Sequence, residues 1–225
     1  MLAKHGLDIT KTNLTAELGR ALTVDREVPG FEDFCLAGKR GIEPGQPAAS
    51  LLYHALASPN VHPTPHGQPA TAANAYPTLV EFDVVENYIY GLRPVKADPQ
   101  KHVVVVFAYQ YRPASATAHG YHADMAFSRT GVARVGTGPA AWDGACRVFR
   151  SDPPGRDDLA VFPARYAAFL AIPKLPRSFD SIMGRRDQDD PDRIFYFPIQ
   201  KLFAGKNCIL NATIAVDFKE YHVND

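Results

Sequence analysis

The sequence predicts an α+β protein with a mainly antiparallel β-sandwich or jelly-roll-like body at residues 102–221, preceded by short N-terminal helices. Two observations lead to this fold class. Apolar residues recur at helical spacing in the first 92 residues, and about seven short β-branched or aromatic segments follow them, separated by connections rich in proline, glycine and aspartate. Short strands with turn signals between them are typical of antiparallel sandwiches and jelly rolls. We therefore expect a single domain, residues 1–225, whose first part at residues 1–92 is helical and proline-rich.

Two helix candidates lie in the first 60 residues. Residues 10–22 place leucines at helical spacing, although a glycine and several threonines interrupt them. The second candidate lies between Pro47, which suits a first helical turn, and Pro59, which cannot continue a helix. His54 falls on this helix, and burial statistics predict that it is a buried, hydrogen-bonded side chain.

A third helix candidate carries the clearest boundary signals in the chain. Thr78 stands three residues before Glu81, the spacing of a capping box, and apolar residues follow at helical spacing until Gly91. Glu86 lies on this helix, and we expect it to be an exposed carboxylate because Glu is seldom buried.

Strand signals begin at His102 with the stretch HVVVVFAYQY. Its continuous β-branched and aromatic residues indicate a strand that is central in a sheet or covered on both faces. Two strands joined by a tight turn at Gly131 are expected next, in YHADMAFS and VARVGT. Further strand candidates are residues 146–149, 166–172, 193–197 and 209–221.

Composition argues against several classes of partner. The 24 basic side chains balance 24 acidic ones, so the charge does not favour a nucleic acid. The apolar run at residues 103–108 is far too short to cross a bilayer, and no signal peptide is recognisable at the start. The three cysteines, which are Cys35, Cys146 and Cys208, lie far apart and are expected as reduced thiols. The sequence thus predicts a soluble, cytoplasmic protein that binds neither nucleic acid nor membrane.

Signatures of common enzyme classes are missing from the sequence. It contains no phosphate loop, no dinucleotide-binding glycine motif, no nucleophile elbow and no H-E-x-x-H zinc motif. This favours a non-enzymatic module that contacts a protein partner or a second copy of itself. The chain could equally be one domain of a larger assembly and the front part of a longer protein.

A histidine and an aspartate in YHADMAFS provide the best candidate for chemistry. His122 and Asp124 are two residues apart, so on a strand they point to the same face. The pair resembles the H-x-D ligands of jelly-roll non-haem iron oxygenases, in which a histidine from a late strand completes the metal site. The resemblance implies His222 as the third ligand, His119 as an alternative ligand, iron or zinc as the metal, and a small-molecule substrate.

Two other interpretations of these residues stay open. His119 and His122 could be exposed polar residues of an ordinary hairpin, with Asp124 paired to an arginine across it. The same side chains could also form an acid–base site that holds no metal. The sequence does not identify a substrate for such a site.

Overall fold

In a computed structural model of the chain, the helices come before the strands. The structure describes residues 1–64, 70, 75–111, 124–126, 140–151, 160–161, 165–174 and 194–214. The helices of these residues are the 3₁₀ helices Leu2–His5 and Pro47–Ala49 and the α-helices α1 (Leu14–Gly19), α2 (Leu51–Ala57) and α3 (Leu79–Gly91). The strands are β1 (Val95–Lys96), β2 (Val103–Gln110), β3 (Asp124–Ala126), β4 (Ala140–Asp143), β5 (Val148–Ser151), β6 (Ala160–Val161), β7 (Arg165–Lys174), β8 (Phe195–Lys201) and β9 (Ile209–Leu210).

Antiparallel pairing dominates the sheets of the described residues. The largest sheet has four strands in the order β3-β2-β7-β8, and each neighbouring pair is antiparallel. Strands β4, β5 and β6 form a second antiparallel sheet, while β1 pairs in parallel with β9. The predicted α+β class with mainly antiparallel strand pairing is confirmed. No helix among the described residues is long and apolar enough to span a bilayer.

Strand β2 lies between β3 and β7, and its two faces differ in burial. Phe107 and Tyr109 are buried on the inner face, where their ring centroids lie 5.6 and 5.5 Å from that of Phe169 on β7. Val104 and Val106 alternate with them on the outer face, and each is 43% exposed. The run of β-branched residues therefore marks a central strand, but not one covered on both faces.

Helix α3 begins where its sequence signals predict. The Thr78 hydroxyl accepts a hydrogen bond from the Glu81 amide over 3.3 Å, and Glu81 Oε2 accepts one from the Thr78 amide over 2.7 Å. This capping box satisfies two backbone donors at the start of the helix, and a cap of this kind typically stabilises it by about 1 kcal/mol. Gly91 is the last helical residue and Leu92 the C-cap, so the helix ends two positions later than a glycine at C′ predicts.

Helix α1 is shorter than the leucine spacing in residues 10–22 predicts. Its start is fixed by Asn13, whose Oδ1 accepts a hydrogen bond from the Ala16 amide over 3.1 Å. The helix ends at Gly19 because the backbone of Arg20 is extended, with φ −74° and ψ 156°. Local capping and a weak helix former at the end therefore limit the helix.

Two hydrophobic clusters form the core of the described residues, and α3 contributes to both. Phe82 and Ile89 belong to the first cluster, which is built around α2 and the loops that precede it. Tyr90 belongs to the second cluster, where it packs against Phe169 of the large sheet. One helix thus joins the N-terminal core to the sheet, and the polar side chains on that helix come to lie between them.

Candidate functional site

The predicted metal ligands lie almost entirely outside the described residues. His119, His122 and His222 are not among them, and only the backbone of Asp124 is described, as the first residue of β3. Within the residues that the structure does describe, no group of three or more His, Cys, Asp or Glu side chains could hold a metal ion. The metal site therefore stays a prediction.

Six polar side chains meet between α3 and the inner face of the large sheet. They come from five elements, and we call them the Glu86 cluster: Tyr53 of α2, Asp83 and Glu86 of α3, Tyr109 of β2, Arg165 of β7 and Lys201 of β8. Sequence reasoning identified none of them as a site.

Glu86 is the centre of this cluster and is fully buried. Its Oε1 accepts hydrogen bonds from the Tyr53 hydroxyl over 2.8 Å and from Arg165 Nη2 over 3.0 Å. Its Oε2 accepts from the Tyr109 hydroxyl and from Lys201 Nζ, each over 2.7 Å. A carboxylate offers about four acceptor positions, so these four donors saturate it. Charged donors also make two of the bonds strong ones.

Asp83 links the same two cations at the edge of the cluster. Its Oδ1 accepts hydrogen bonds from Arg165 Nη1 over 2.7 Å and from Lys201 Nζ over 3.1 Å. The side chain of Asp83 is 49% exposed, whereas those of Arg165 and Lys201 are almost wholly covered. Two carboxylates and two cations give the cluster no net charge, as a buried ionic group requires.

The ring of Tyr109 also faces both cations. The guanidinium of Arg165 lies 4.8 Å from the ring centroid, and Lys201 Nζ lies 5.7 Å from it. Burial and the nearby Glu86 carboxylate raise the pKa of the Tyr109 hydroxyl, and the same two causes raise the pKa of Tyr53 well above its usual value. Both phenols therefore keep their hydrogens and donate them to Glu86, and the Tyr53 hydroxyl also accepts a hydrogen bond from Arg165 Nη2 over 2.6 Å.

The prediction that Glu86 is exposed is wrong. It lies four residues after Phe82 and three before Ile89, so it shares their buried face of α3. The signal that could have found it is this spacing, together with the basic residues at the ends of two apolar strands, Arg165 and Lys201. A carboxylate on an apolar helix face needs a cation opposite, and those strands supply one each.

His54 is buried and hydrogen-bonded through both ring nitrogens, as predicted. Nε2 lies 2.7 Å from the carbonyl oxygen of Gly30, and Nδ1 lies 2.6 Å from the hydroxyl of Tyr111. A carbonyl can only accept, so Nε2 donates to it and Nδ1 accepts from Tyr111. Burial lowers the pKa of His54 to about 4, which leaves the ring neutral at pH 7.

A cavity of about 1010 Å³ opens beside the cluster, at Asp83 and Lys201. Its other walls come from Asn87 on α3, the start of β7 and the segment at residues 202–214. Glu86 has no vacant acceptor position and does not line the cavity. Asp83 lines it, and both of its hydrogen bonds within the described residues are made by Oδ1. The Glu86 cluster is therefore a hydrogen-bonded network without net charge, and its members Asp83 and Lys201 border an open cavity.

The chain matches no model of a protein family, no curated protein and no solved structure.

Proposed function

We propose that the chain is a non-enzymatic β-rich module, or one domain of a larger assembly, in which the Glu86 cluster has an architectural role. The observation that carries this proposal is the saturation of Glu86 by Tyr53, Tyr109, Arg165 and Lys201. A catalytic carboxylate needs a free oxygen within reach of its substrate. Glu86 instead holds α3 against α2 and three strands of one sheet.

The hydrogen-bonded pair of His54 and Tyr111 supports the same role. A general acid or base works best with a pKa near the working pH. The pKa of His54 is about 4 and both of its nitrogens are engaged, while burial raises the pKa of Tyr111. These groups stay neutral near pH 7 and pair with each other, which suits packing better than proton transfer.

The outer face of the large sheet supports contact with another protein chain. Val104 and Val106 of β2, Tyr166 of β7 and Phe197 of β8 lie on this face and are each between 37% and 43% exposed. The β7 partners of the two valines, Leu170 and Ala168, are covered. Neighbouring exposed apolar side chains often mark an interaction surface. The partner could be a second copy of this chain or a different protein, and sedimentation of the purified chain distinguishes the two. Self-association gives a mass that rises with concentration, whereas a chain that binds a different protein sediments as a monomer.

Three finer expectations from the sequence concern the arrangement of the strands, the location of the protein and its partners. A sandwich or jelly-roll arrangement of residues 102–221 is compatible with the antiparallel sheets of the described residues. A cytoplasmic location agrees with Cys35, Cys146 and Cys208 all being unpaired thiols. The balanced charge supports partners other than nucleic acid.

The alternative function is that of a metal-dependent enzyme with His122, Asp124 and His222 as ligands. Metal analysis of the purified chain, alone and as the His122→Ala/Asp124→Ala double variant, tests the two functions against each other. We expect less than one equivalent of iron, manganese, zinc or copper, and the same melting temperature for both proteins. His62→Ala serves as a control for loss of a histidine elsewhere.

One equivalent of metal in the unaltered chain and in His62→Ala, lost in the double variant, would overturn the non-enzymatic proposal. In that case the double variant would also have a lower melting temperature than the unaltered chain, because it would lose a bound metal that stabilises the folded state.

A further inference from the structure

Helix α3 carries apolar side chains on the face that it turns away from the core. Val80, Val84 and Tyr88 are spaced by four residues, so they lie one above the other on one side of the helix. Their exposed fractions are 72%, 63% and 43%. Leu92, the C-cap residue four positions further on, is 41% exposed. We call these four residues the α3 stripe.

The opposite face of α3 is already buried within the chain. Its residues Phe82, Glu86, Ile89 and Tyr90 face the N-terminal core and the large sheet. The helix is therefore apolar on two sides, and the second side is exposed. A surface helix of a globular protein typically has one apolar stripe and polar residues opposite it. A second apolar stripe indicates a second surface that packs against the helix.

The residue types of the α3 stripe are not explained by helix formation. Valine has a lower helix propensity than Ala, Glu or Lys, because its branched side chain loses rotamer freedom in a helix. Packing usually offsets this cost, but Val80 and Val84 lie at strongly exposed positions. Contact of the stripe with another surface would bury both side chains and supply the missing packing.

The charged residues beside the α3 stripe differ between its two ends. Glu81 is exposed at the start of the helix. Arg93 and Lys206 are exposed at the other end. Arg93 directly follows the C-cap, and Lys206 precedes Asn207, whose Cβ would lie 3.5 Å from a Cβ atom placed on Gly91. One end of the stripe is therefore acidic and the other end is basic.

A stripe with this charge distribution is complementary to a second copy of itself. In a pair with two-fold symmetry, a patch contacts the same patch of the other copy. When the two α3 helices run antiparallel, the acidic end of each lies beside the basic end of the other, and the opposed helix dipoles attract. A parallel pair would bring like charges together. A wholly acidic or wholly basic partner would match only one end of the stripe.

The size of the α3 stripe limits the strength of such a pair. Stable protein interfaces bury about 800 Å² on each partner. Side chains from one face of a single helix cover only part of such an area, and contacts below the standard size are typically transient. We therefore expect a dissociation constant of about 0.1 to 1 mM.

We propose that the α3 stripe is a self-association surface, through which two copies of this chain pair weakly with their α3 helices antiparallel. The stripe lies on the side of α3 opposite Glu86, so it is separate from the Glu86 cluster and from the outer face of the large sheet. The inference does not rest on the non-enzymatic proposal. Metal bound at His122 and Asp124 would leave it standing, and a chain that stays monomeric would overturn it without affecting the role of the Glu86 cluster.

Sedimentation of the full chain over a concentration series tests the pairing. We expect the mean mass to rise from that of one chain at about 10 μM towards that of two chains at about 1 mM. Val84→Glu places a charge in the middle of the stripe and should weaken association at least about tenfold. Val104→Glu, on the outer face of the large sheet and 43% exposed in the unaltered chain, is the matched control and should leave association unchanged. Circular dichroism spectra establish that both variants fold.

A second pair of variants tests the antiparallel arrangement. Lys206→Glu reverses a charge at the basic end of the stripe and should weaken association about threefold. Lys11→Glu, at an exposed position before α1, changes the net charge by the same amount and should leave association unchanged. The proposal is overturned if the chain stays monomeric over the whole series, if Val104→Glu weakens association as much as Val84→Glu, or if Lys206→Glu and Lys11→Glu associate equally well.

Discussion

The hydroxyl of Tyr109 on β2 donates a hydrogen bond to Oε2 of Glu86 on α3 over a distance of 2.7 Å. Both side chains are buried, so no water can replace either partner. This contact joins the central strand of the large sheet to the helix that also packs into the N-terminal core. Its strength should therefore be visible in the stability of the whole chain.

Removing the Tyr109 hydroxyl should destabilise the fold measurably. Tyr109→Phe keeps the ring that faces Arg165 and deletes only the donor to Glu86. Hydrogen bonds to charged groups contribute about 1.5 to 3 kcal/mol, and we expect the free energy of unfolding to fall by about 2 kcal/mol. Urea unfolding measures this. Tyr88→Phe, at an exposed position on α3, is the control and should change it by less than about 0.5 kcal/mol. Equal effects of the two substitutions would contradict the assignment.

Acid should destabilise the chain through His54. Burial lowers its pKa from 6.5 to about 4 in the folded state, so the unfolded chain binds more protons between these values. The stability from keeping His54 neutral is complete above pH 6.5 and is lost as the pH falls towards 4, by about 3 kcal/mol in total.

The control for this pH dependence is His54→Gln, which retains a donor for the Gly30 carbonyl and cannot titrate. Unfolding free energies measured from pH 7 to pH 4 should fall more steeply in the unaltered chain than in this variant. Acidic groups such as Glu17, whose pKa hydrogen bonds from Arg20 and Asp8 hold at about 2, affect both proteins alike. Parallel pH profiles would show that His54 does not stay neutral through burial.

A glycine beside His54 should not tolerate a side chain. Gly30 has φ +88°, and a Cβ atom there would lie 2.3 Å from the carbonyl oxygen of Asn60. Gly30→Ala should therefore lower the free energy of unfolding by more than about 2 kcal/mol. Gly19→Ala at the end of α1 is the matched control: nothing lies within 4 Å of its Cβ position, and it should be neutral or stabilising by up to about 1 kcal/mol. If thermal unfolding showed equal effects, the left-handed conformation of Gly30 would be in doubt.

Elements with local signals could be predicted from the sequence. Helix α3 has its capping box within four residues, and β2 has its β-branched residues in one unbroken run. These signals act between near neighbours, so they need no knowledge of the tertiary fold. Residues 209–221 could not be assessed in the same way, because the structure describes them only to residue 214 and shows a two-residue strand, Ile209–Leu210.

The Glu86 cluster could not be predicted in this way. Tyr53 precedes Glu86 by 33 residues and Lys201 follows it by 115, so no periodicity connects them. The rule that Glu is seldom buried failed because it applies to unpaired carboxylates, and Glu86 is paired with two cations. The H-x-D pair of His122 and Asp124 could be recognised from the sequence because the two residues are close along the chain. A third ligand at His222 depends on a tertiary contact, and His222 lies outside the described residues.

The free energy of unfolding of Glu86→Gln tests the architectural role of the cluster most directly. This substitution keeps the shape of the side chain but leaves Arg165 and Lys201 with half of their counter-charge. We expect a loss of about 3 to 5 kcal/mol, whereas Glu27→Gln at an exposed position should change stability by less than about 0.5 kcal/mol. A Glu86→Gln chain that is as stable as the unaltered one, or more stable, would contradict the account, because carboxylates retained for chemistry rather than for packing are often replaced without such a loss.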